Sequence, residues 1–296
     1  MTDKYAVIGN PIAHSKSPQI HAMFKEQTGE DISYEAKLVP LDGFAATIER
    51  LRKDDYKGCN VTVPFKKEAA SIPTLANLSA SAGLVHAANT LHWNQYGELV
   101  ADNTDGFGLV RDIRVNLGFN MHQKRILLMG AGGATRGVLY PLLYQEAGFM
   151  PNQQTPSDIV IVNRTVQKAQ KICSENDFVS IAAQTNSLKP FATNLSSCGY
   201  TDLANQQPFD LVINATSSSL TDEMPPLPPG VFAHGALAYD MMYGRETPFM
   251  RFARANGAAL VSDGLGMLVE QAAESFFIWR GVRPQTAQVI ATLRLS

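Results

Sequence analysis

A short apolar run that leads directly into a glycine-rich turn and a helical pattern constrains the fold of this chain most. The run Arg125–Met129 resembles a buried strand, and the segment 135–145 is predicted to be a helix. The turn between them consists of Gly130, Ala131, Gly132, Gly133 and Ala134. Such a turn lets a pyrophosphate approach the backbone, and the helix N-terminus offers it free N–H groups. Because Thr135 stands at the third glycine position of the usual motif, an ordinary tight turn is the alternative interpretation.

The end of the next predicted strand, Asp158–Val162, indicates which dinucleotide would bind. Proteins that bind NAD usually carry an acidic residue there, which accepts hydrogen bonds from the ribose 2′-hydroxyl. This chain has Asn163, Arg164 and Thr165 instead, followed by Lys168. Cationic and hydroxyl groups would bind a 2′-phosphate that a carboxylate would repel, so the sequence predicts NADP rather than NAD.

Strand and helix signals alternate along the chain, which is typical of the α/β class with mostly parallel strands. Further strands are predicted at residues 5–8, 34–39, 58–63, 178–182, 209–213 and 236–239, with a hairpin at 91–101. Further helices are predicted at 43–51, 247–256, 265–280 and 284–295, and another with Ser17 as its N-cap. We predict an α/β substrate-binding domain at 1–105 and, at 106–263, a connecting helix and a Rossmann-like NADP-binding domain, the two separated by a cleft. It stays open whether the C-terminal helices, about 264–296, pack back onto the first domain.

Composition excludes several classes of partner. Hydrophobic residues make up 45% of the chain and charged residues 18%, so a substantial core is expected. The net charge of −2 gives no basic surplus for nucleic acid or an anionic membrane. The cysteines and histidines lack metal-ligand spacing, and the N-terminus resembles no signal peptide. We expect a cytoplasmic protein without a metal, acting on a small molecule as a monomer or a homodimer.

Three polar loops of the first domain carry candidate binding groups. Ser15 and Ser17 could receive a carboxylate at a helix N-terminus, although N-capping alone would explain Ser17. Lys66 follows a predicted strand that carries Thr62; a solvated surface lysine is its alternative interpretation. Asp105 could cap a helix or could orient a lysine.

Together these motifs resemble the shikimate dehydrogenase family over essentially the whole chain. The matching segments are HSKSP within 9–21, NVTVPFK at 60–66, ANT at 88–90, NTDG at 103–106, GAGGATRG at 130–137, NRT at 163–165, NATS at 214–217, YDMMY at 239–243 and DGLGMLVEQ at 263–271. The resemblance implies reversible reduction of 3-dehydroshikimate to shikimate with NADPH. Alternatives are a quinate/shikimate dehydrogenase that uses NAD or both cofactors, and a non-catalytic NADP-binding sensor.

The resemblance also implies a role for each matching residue. Lys66 and Asp105 would form the catalytic pair, while Ser15 and Ser17 would bind the substrate carboxylate. The residues that would contact the ring hydroxyls or line the same pocket are Thr62, Asn89, Asp105, Gln271 and Tyr243. The glycine-rich turn and the segment from Asn163 to Lys168 would hold NADP. The residues that would lie near the nicotinamide are Met241, Gly264 and Met267.

Overall fold

The chain forms two compact units in a computed structural model, which describes residues 2–145, 155–174, 189–190, 193–216 and 223–295. The first unit is discontinuous and consists of Met1–Gly108 together with Leu268–Ser296. The second unit is the continuous segment Leu109–Met267. The boundaries therefore fall a few residues beyond the predicted 105 and 263.

A mixed sheet forms the centre of the first unit. Its strands are β1 (Asp3–Gly9), β2 (Ile32–Leu38), β3 (Tyr56–Val61), β4 (Thr90–Trp93) and β5 (Leu99–Asp102). Their order is β2-β1-β3-β4-β5; the first three are parallel, and β4 and β5 form an antiparallel hairpin beside β3. The helices of this part of the chain are α1 (Ser17–Thr28), α2 (Phe44–Lys53), α3 (Lys66–Ser71), α4 (Ala80–Val85) and α5 (Asp105–Arg111).

A parallel six-stranded sheet forms the centre of the second unit. The strands described in this unit are β6 (Arg125–Met129), β7 (Tyr144–Gln145), β8 (Asp158–Val162), β9 (Lys189–Pro190), β10 (Asn194–Cys198), β11 (Phe209–Asn214), β12 (Phe232–Asp240) and β13 (Leu260–Ser262). The strand order is β10-β8-β6-β11-β12-β13. The chain adds β8 and β10 on one side of β6 and then β11, β12 and β13 on the other side, so the order switches between β6 and β11. Strand β7 pairs separately with β9. Ligands of open α/β sheets bind at the carboxyl ends of the strands beside such a reversal.

The remaining helices complete the two units. They are α6 (Gly133–Leu143), α7 (Val166–Ser174), α8 (Pro248–Ala255), α9 (Leu265–Arg280) and α10 (Ala287–Leu295). Strands β6, β8 and β11 of the second sheet have nearly continuous buried apolar residues, as expected where helices cover both faces. The core of the first unit includes Phe44 and Phe65, whose rings stack with centroids 5.1 Å apart. Among the described residues, no helix is long and apolar enough to cross a membrane.

The α/β fold class with a Rossmann-type unit is confirmed, and several local predictions need correction. The helix predicted at 135–145 begins at Gly133 and ends at Leu143, because the chain continues into the short strand β7. Ser17 is not an N-cap: it is the first residue of α1, and its backbone N–H donates to Ser15 Oγ at 3.3 Å. The strand predicted at 178–182 lies outside the described residues.

Candidate active site

Lys66 and Asp105 form an ion pair in the first unit. Phe65, which is fully buried against Phe44, holds the chain where α3 begins, and Lys66 is the first residue of that helix. Lys66 Nζ donates to Asp105 Oδ2 at 2.6 Å, and the two side chains are 31% and 22% exposed. Asp105 is the first residue of α5, where the helix dipole favours a carboxylate. The geometry supports the interpretation of Asp105 as a lysine partner and contradicts that of Lys66 as a solvated surface lysine.

Asn89 connects this ion pair to Gln271. Asn89 Nδ2 donates to Asp105 Oδ1 at 2.8 Å and to Gln271 Oε1 at 3.1 Å. Gln271 lies on α9, and its Nε2 donates to Leu268 O at 2.7 Å. Four residues that the sequence predicts for one site therefore lie together, although they come from four separate stretches of the chain. An ammonium held by a carboxylate, with amides beside it, can exchange a proton with a bound oxygen and can bind hydroxyl groups.

The loops that carry the other predicted substrate residues follow neighbouring strands of the same sheet. Ser15 and Ser17 follow β1, whereas Thr62 follows β3, and Thr62 N donates to Ile8 O at 3.0 Å. A Cβ at Gly9 would lie 2.4 Å from Thr62 Cγ2, so the close approach of these loops requires glycine there. The structure thus brings both loops to the carboxyl-terminal edge of the sheet, and the roles of these three residues stay predictions.

The remaining predicted residues belong to the second unit and follow β12 and β13. Gly264 lies against the chain that follows β12, since a Cβ there would lie 2.3 Å from Met241 O. Met267 is buried on α9, and burial raises the pKa of Tyr243. Their predicted roles at the nicotinamide and the substrate stay predictions.

A pocket of about 640 Å³ lies at the carboxyl ends of β6 and β8 in the second unit. It brings together every residue predicted for the glycine-rich turn and for the segment after β8: Gly130, Ala131, Gly132, Gly133, Ala134, Asn163, Arg164, Thr165 and Lys168. The predicted Met241, Gly264 and Met267 are not among its lining residues.

The backbone of the turn leaves open space in which a diphosphate would fit. Gly130 has a φ of +104°, which favours glycine. A Cβ at Gly132 or Gly133 would meet no atom within 4 Å, so the space beside the N-terminus of α6 is open to a ligand. The fully buried Thr135 replaces the third glycine, and its hydroxyl donates to Gly130 O at 2.9 Å, which holds the turn to the helix. The residues present therefore fit a dinucleotide.

Known proteins match this chain over essentially its whole length. The chain is 52% identical to a protein of Nitrosospira multiformis named shikimate dehydrogenase (NADP(+)), with 100% of this chain and 98% of the relative covered. It is also 52% identical to a protein of that name from Methylobacillus flagellatus, with 99% and 100% covered. The chain belongs to the shikimate dehydrogenase family. The predicted resemblance is thereby confirmed.

Family models and solved structures of shikimate dehydrogenases and their relatives extend this result. The model of the shikimate dehydrogenase substrate binding domain matches residues 7–91, and that of the shikimate 5′-dehydrogenase C-terminal domain matches residues 264–294. An Ael1 enzyme from Pseudomonas putida is 44% identical, with 99% and 98% covered and a TM-score of 0.83. Shikimate 5-dehydrogenase from Thermus thermophilus, solved with NADP(H) and shikimate, is 28% identical, with 99% of each chain covered and a TM-score of 0.78.

Several residues that line the pocket at the carboxyl ends of β6 and β8 lie outside the segments that the sequence predicted to bind NADP. They are Tyr200, Ala215, Thr216, Glu223, Met224, Pro225 and Pro226. Burial raises the pKa of Tyr200 to about 12, and Glu223 approaches Arg164, with 3.7 Å between Oε2 and Nη2. Tyr200 follows β10, whose sequence NLSSC has no apolar pattern that would have predicted a strand there.

Proposed function

We propose that this chain catalyses the reversible, NADPH-dependent reduction of 3-dehydroshikimate to shikimate, in the cytoplasm. The observation that carries the proposal is the Lys66–Asp105 pair, joined through Asn89 to Gln271, in a chain of the shikimate dehydrogenase family. These groups combine a proton donor with acceptors and donors for ring hydroxyls. That combination suits a small polyol whose carbonyl is reduced.

Lys66 is the proton donor in this proposal. NADPH, when bound, supplies the hydride. Negative charge then develops on the oxygen at C3, and the ammonium of Lys66 stabilises that oxygen and delivers a proton to it. Asp105 holds the ammonium in place through its 2.6 Å hydrogen bond. In the direction of oxidation, neutral Lys66 accepts the proton from the C3 hydroxyl.

The hydroxyls of Ser15 and Ser17, at the N-terminus of the twelve-residue helix α1, bind the substrate carboxylate in this proposal. Thr62, Asn89, Asp105, Gln271 and Tyr243 bind the ring or its hydroxyls. The supporting observation is that the loops before α1 and α3 leave the sheet at the same edge.

The pocket beside the glycine-rich turn holds NADP in this proposal. The turn receives the diphosphate, while Arg164, Thr165 and Lys168 bind the 2′-phosphate. Arg164 supports this role because its side chain is 85% exposed and lines the pocket. Met241, Gly264 and Met267 lie near the nicotinamide.

A spectrophotometric assay of shikimate-dependent NADP⁺ reduction tests the proposal, with NAD⁺ and quinate as controls. We expect turnover with shikimate and NADP⁺, and much lower kcat/KM with NAD⁺ or with quinate. Equal efficiency with NAD⁺ would overturn the cofactor assignment, and ligand binding without any turnover would favour a sensor. Light scattering distinguishes a monomer from a homodimer.

A further inference from the structure

A buried hydroxyl on α9 lies beneath the candidate active site without touching its ion pair. Ser275 follows Gln271 by one helical turn and is fully buried. Its Oγ accepts from Asn60 Nδ2 at 2.9 Å and lies 3.0 Å from Gln271 O. Its single proton goes to Thr90 Oγ1 at 2.7 Å, because Gln271 O already accepts from Thr104 Oγ1 and Thr90 donates to Asn89 Oδ1. Ser275 is therefore a junction between α9 and the strands β3 and β4.

Two donors hold the amide oxygen of Asn89, and one of them, the Thr90 hydroxyl, is bonded to Ser275. Thr90 Oγ1 donates to Asn89 Oδ1 at 2.9 Å, and the backbone N–H of Thr104 donates to the same oxygen at 2.9 Å. A backbone N–H cannot accept a hydrogen bond, so it requires the oxygen of the amide on its side. The Nδ2 of Asn89 must then face Asp105, whose other carboxylate oxygen binds Lys66.

Loss of the Ser275 hydroxyl would affect the Asn89 amide indirectly, through Thr90. Thr90 would lose one hydrogen-bond partner, and Asn60 Nδ2 would keep Asn89 O at 3.1 Å and Thr90 Oγ1 at 3.3 Å. A buried network that loses one member rearranges so that its other donors find acceptors. Thr90 Oγ1 is then held less firmly against Asn89 Oδ1, and the backbone N–H of Thr104 remains the fixed donor that orients the amide toward Asp105.

We propose that Ser275 is a positioning residue for the Lys66–Asp105 pair. It acts through Thr90 and Asn89, and its hydroxyl keeps the carboxylate of Asp105 where it directs the ammonium. The proposal rests on the proposed function, in which Lys66 delivers the proton.

The test compares Ser275→Ala, Ser275→Thr and Thr286→Val with the wild-type chain. We expect Ser275→Ala to lower kcat about 10- to 100-fold, because small misplacements of catalytic groups cost that much. The dissociation constant for shikimate, measured by calorimetry, should change less. Ser275→Thr keeps the hydroxyl and should recover most of kcat.

Thr286→Val is the matched control. Thr286 is also buried in the first unit, and its hydroxyl donates to Glu270, the residue before Gln271, at 2.6 Å. Its loss should lower the melting temperature and leave kcat unchanged. A wild-type kcat in Ser275→Ala, no recovery in Ser275→Thr, or an equal loss in Thr286→Val would each overturn the positioning role.

Crystal structures separate this proposal from the proposed function. In Ser275→Ala the bond between Asn89 Nδ2 and Asp105 Oδ1 should lengthen or break; if it stays at its wild-type length, the positioning role is wrong. If the wild-type chain does not oxidise shikimate, the proposed function fails, and the same bond still decides the role of Ser275.

Discussion

At the scale of single residues, Asp105 organises the candidate site, because each of its carboxylate oxygens accepts a hydrogen bond from a different side chain. Oδ2 binds Lys66 and Oδ1 binds Asn89. One carboxylate thereby fixes both a proton donor and an amide that can bind a hydroxyl. In the proposed function, proton transfer and substrate orientation therefore both depend on the first residue of α5.

Replacement of Lys66 by alanine should show what the ammonium contributes. We expect kcat to fall about 10²- to 10⁴-fold, the usual range for loss of a general acid, with a smaller change in shikimate affinity. The neighbouring, exposed Lys67 provides the control, and Lys67→Ala should retain wild-type kinetics. The measurement is steady-state kinetics with shikimate and NADP⁺; a near-normal kcat in Lys66→Ala would contradict the assignment.

His21 should make the stability of the protein sensitive to acid. Its ring stacks on Tyr34 with centroids 4.0 Å apart, and burial lowers the pKa of His21 to about 3. The folded state therefore keeps His21 neutral, whereas the unfolded chain takes up a proton below about pH 6.5. The free energy of unfolding then falls as the pH drops from about 6.5 toward 3.

His21→Phe keeps an aromatic ring and removes this titration. Urea unfolding at about pH 7 and about pH 5 should show a smaller loss of stability in this variant than in the wild-type chain. The exposed His122 gives the control, because His122→Phe should leave the pH dependence unchanged. An identical pH dependence in His21→Phe and the wild-type chain would show that His21 is not responsible.

At the scale of elements, a substitution in the turn between β6 and α6 should change ligand affinity without changing the stability of the protein. Gly132→Ala should leave the melting temperature nearly unchanged, because the new methyl group meets no protein atom within 4 Å. The same methyl group occupies space beside the helix N-terminus, so we expect NADP⁺ affinity to fall about tenfold or more.

Calorimetric titration with NADP⁺ measures this effect, and Gly83→Ala is its control. Gly83 lies in α4 and also has open space at its Cβ position, so this variant should bind NADP⁺ normally. Unaltered NADP⁺ binding by Gly132→Ala would mean that the ligand does not approach the turn.

Whether the sequence predicts a helix or a strand depends on the length of the element and on how many of its side chains are buried. Strands such as β6 and β8 were predicted because both of their faces are buried and their sequences are continuously apolar. The six-residue helices α3 and α4 were missed, since they are too short to show a helical period. The edge strand β10 was missed because NLSSC is polar and needs only β8 as a partner.

The sequence predicted which residues would lie together at the candidate site, and it did not predict their geometry. The motifs around Lys66, Asn89, Asp105 and Gln271 nominated four residues that hydrogen bonds connect in the structure. The distances between these side chains depend on the pairing of β3 with β4 and on α9, which belongs to the first unit although it lies far along the sequence. A local sequence pattern shows neither of these contacts. The sequence did not indicate a role for Ser275, because this serine lies in a mostly apolar helix and belongs to none of the matching motifs.

At the scale of the whole molecule, the first unit depends on residues from the far end of the chain. On α10, Leu293 is 4% exposed, whereas Leu295 is 91% exposed. Leu293→Ala should lower the free energy of unfolding by about 2–5 kcal/mol, since it leaves a cavity, and Leu295→Ala should have almost no effect. Denaturant unfolding measures both; equal midpoints for the two variants would contradict the role of α10 in this unit.

The discontinuity of the first unit has a consequence for synthesis on the ribosome. Residues 268–296 leave the exit tunnel after the entire second unit, and β1 to β5 emerge before it. The nascent chain can thus complete its second unit while the unit that carries Lys66 still lacks α10 and most of α9. Domains usually fold in N-to-C order during synthesis, and this discontinuity allows the opposite order: the first unit can finish folding only after the second unit and residues 268–296 have been made.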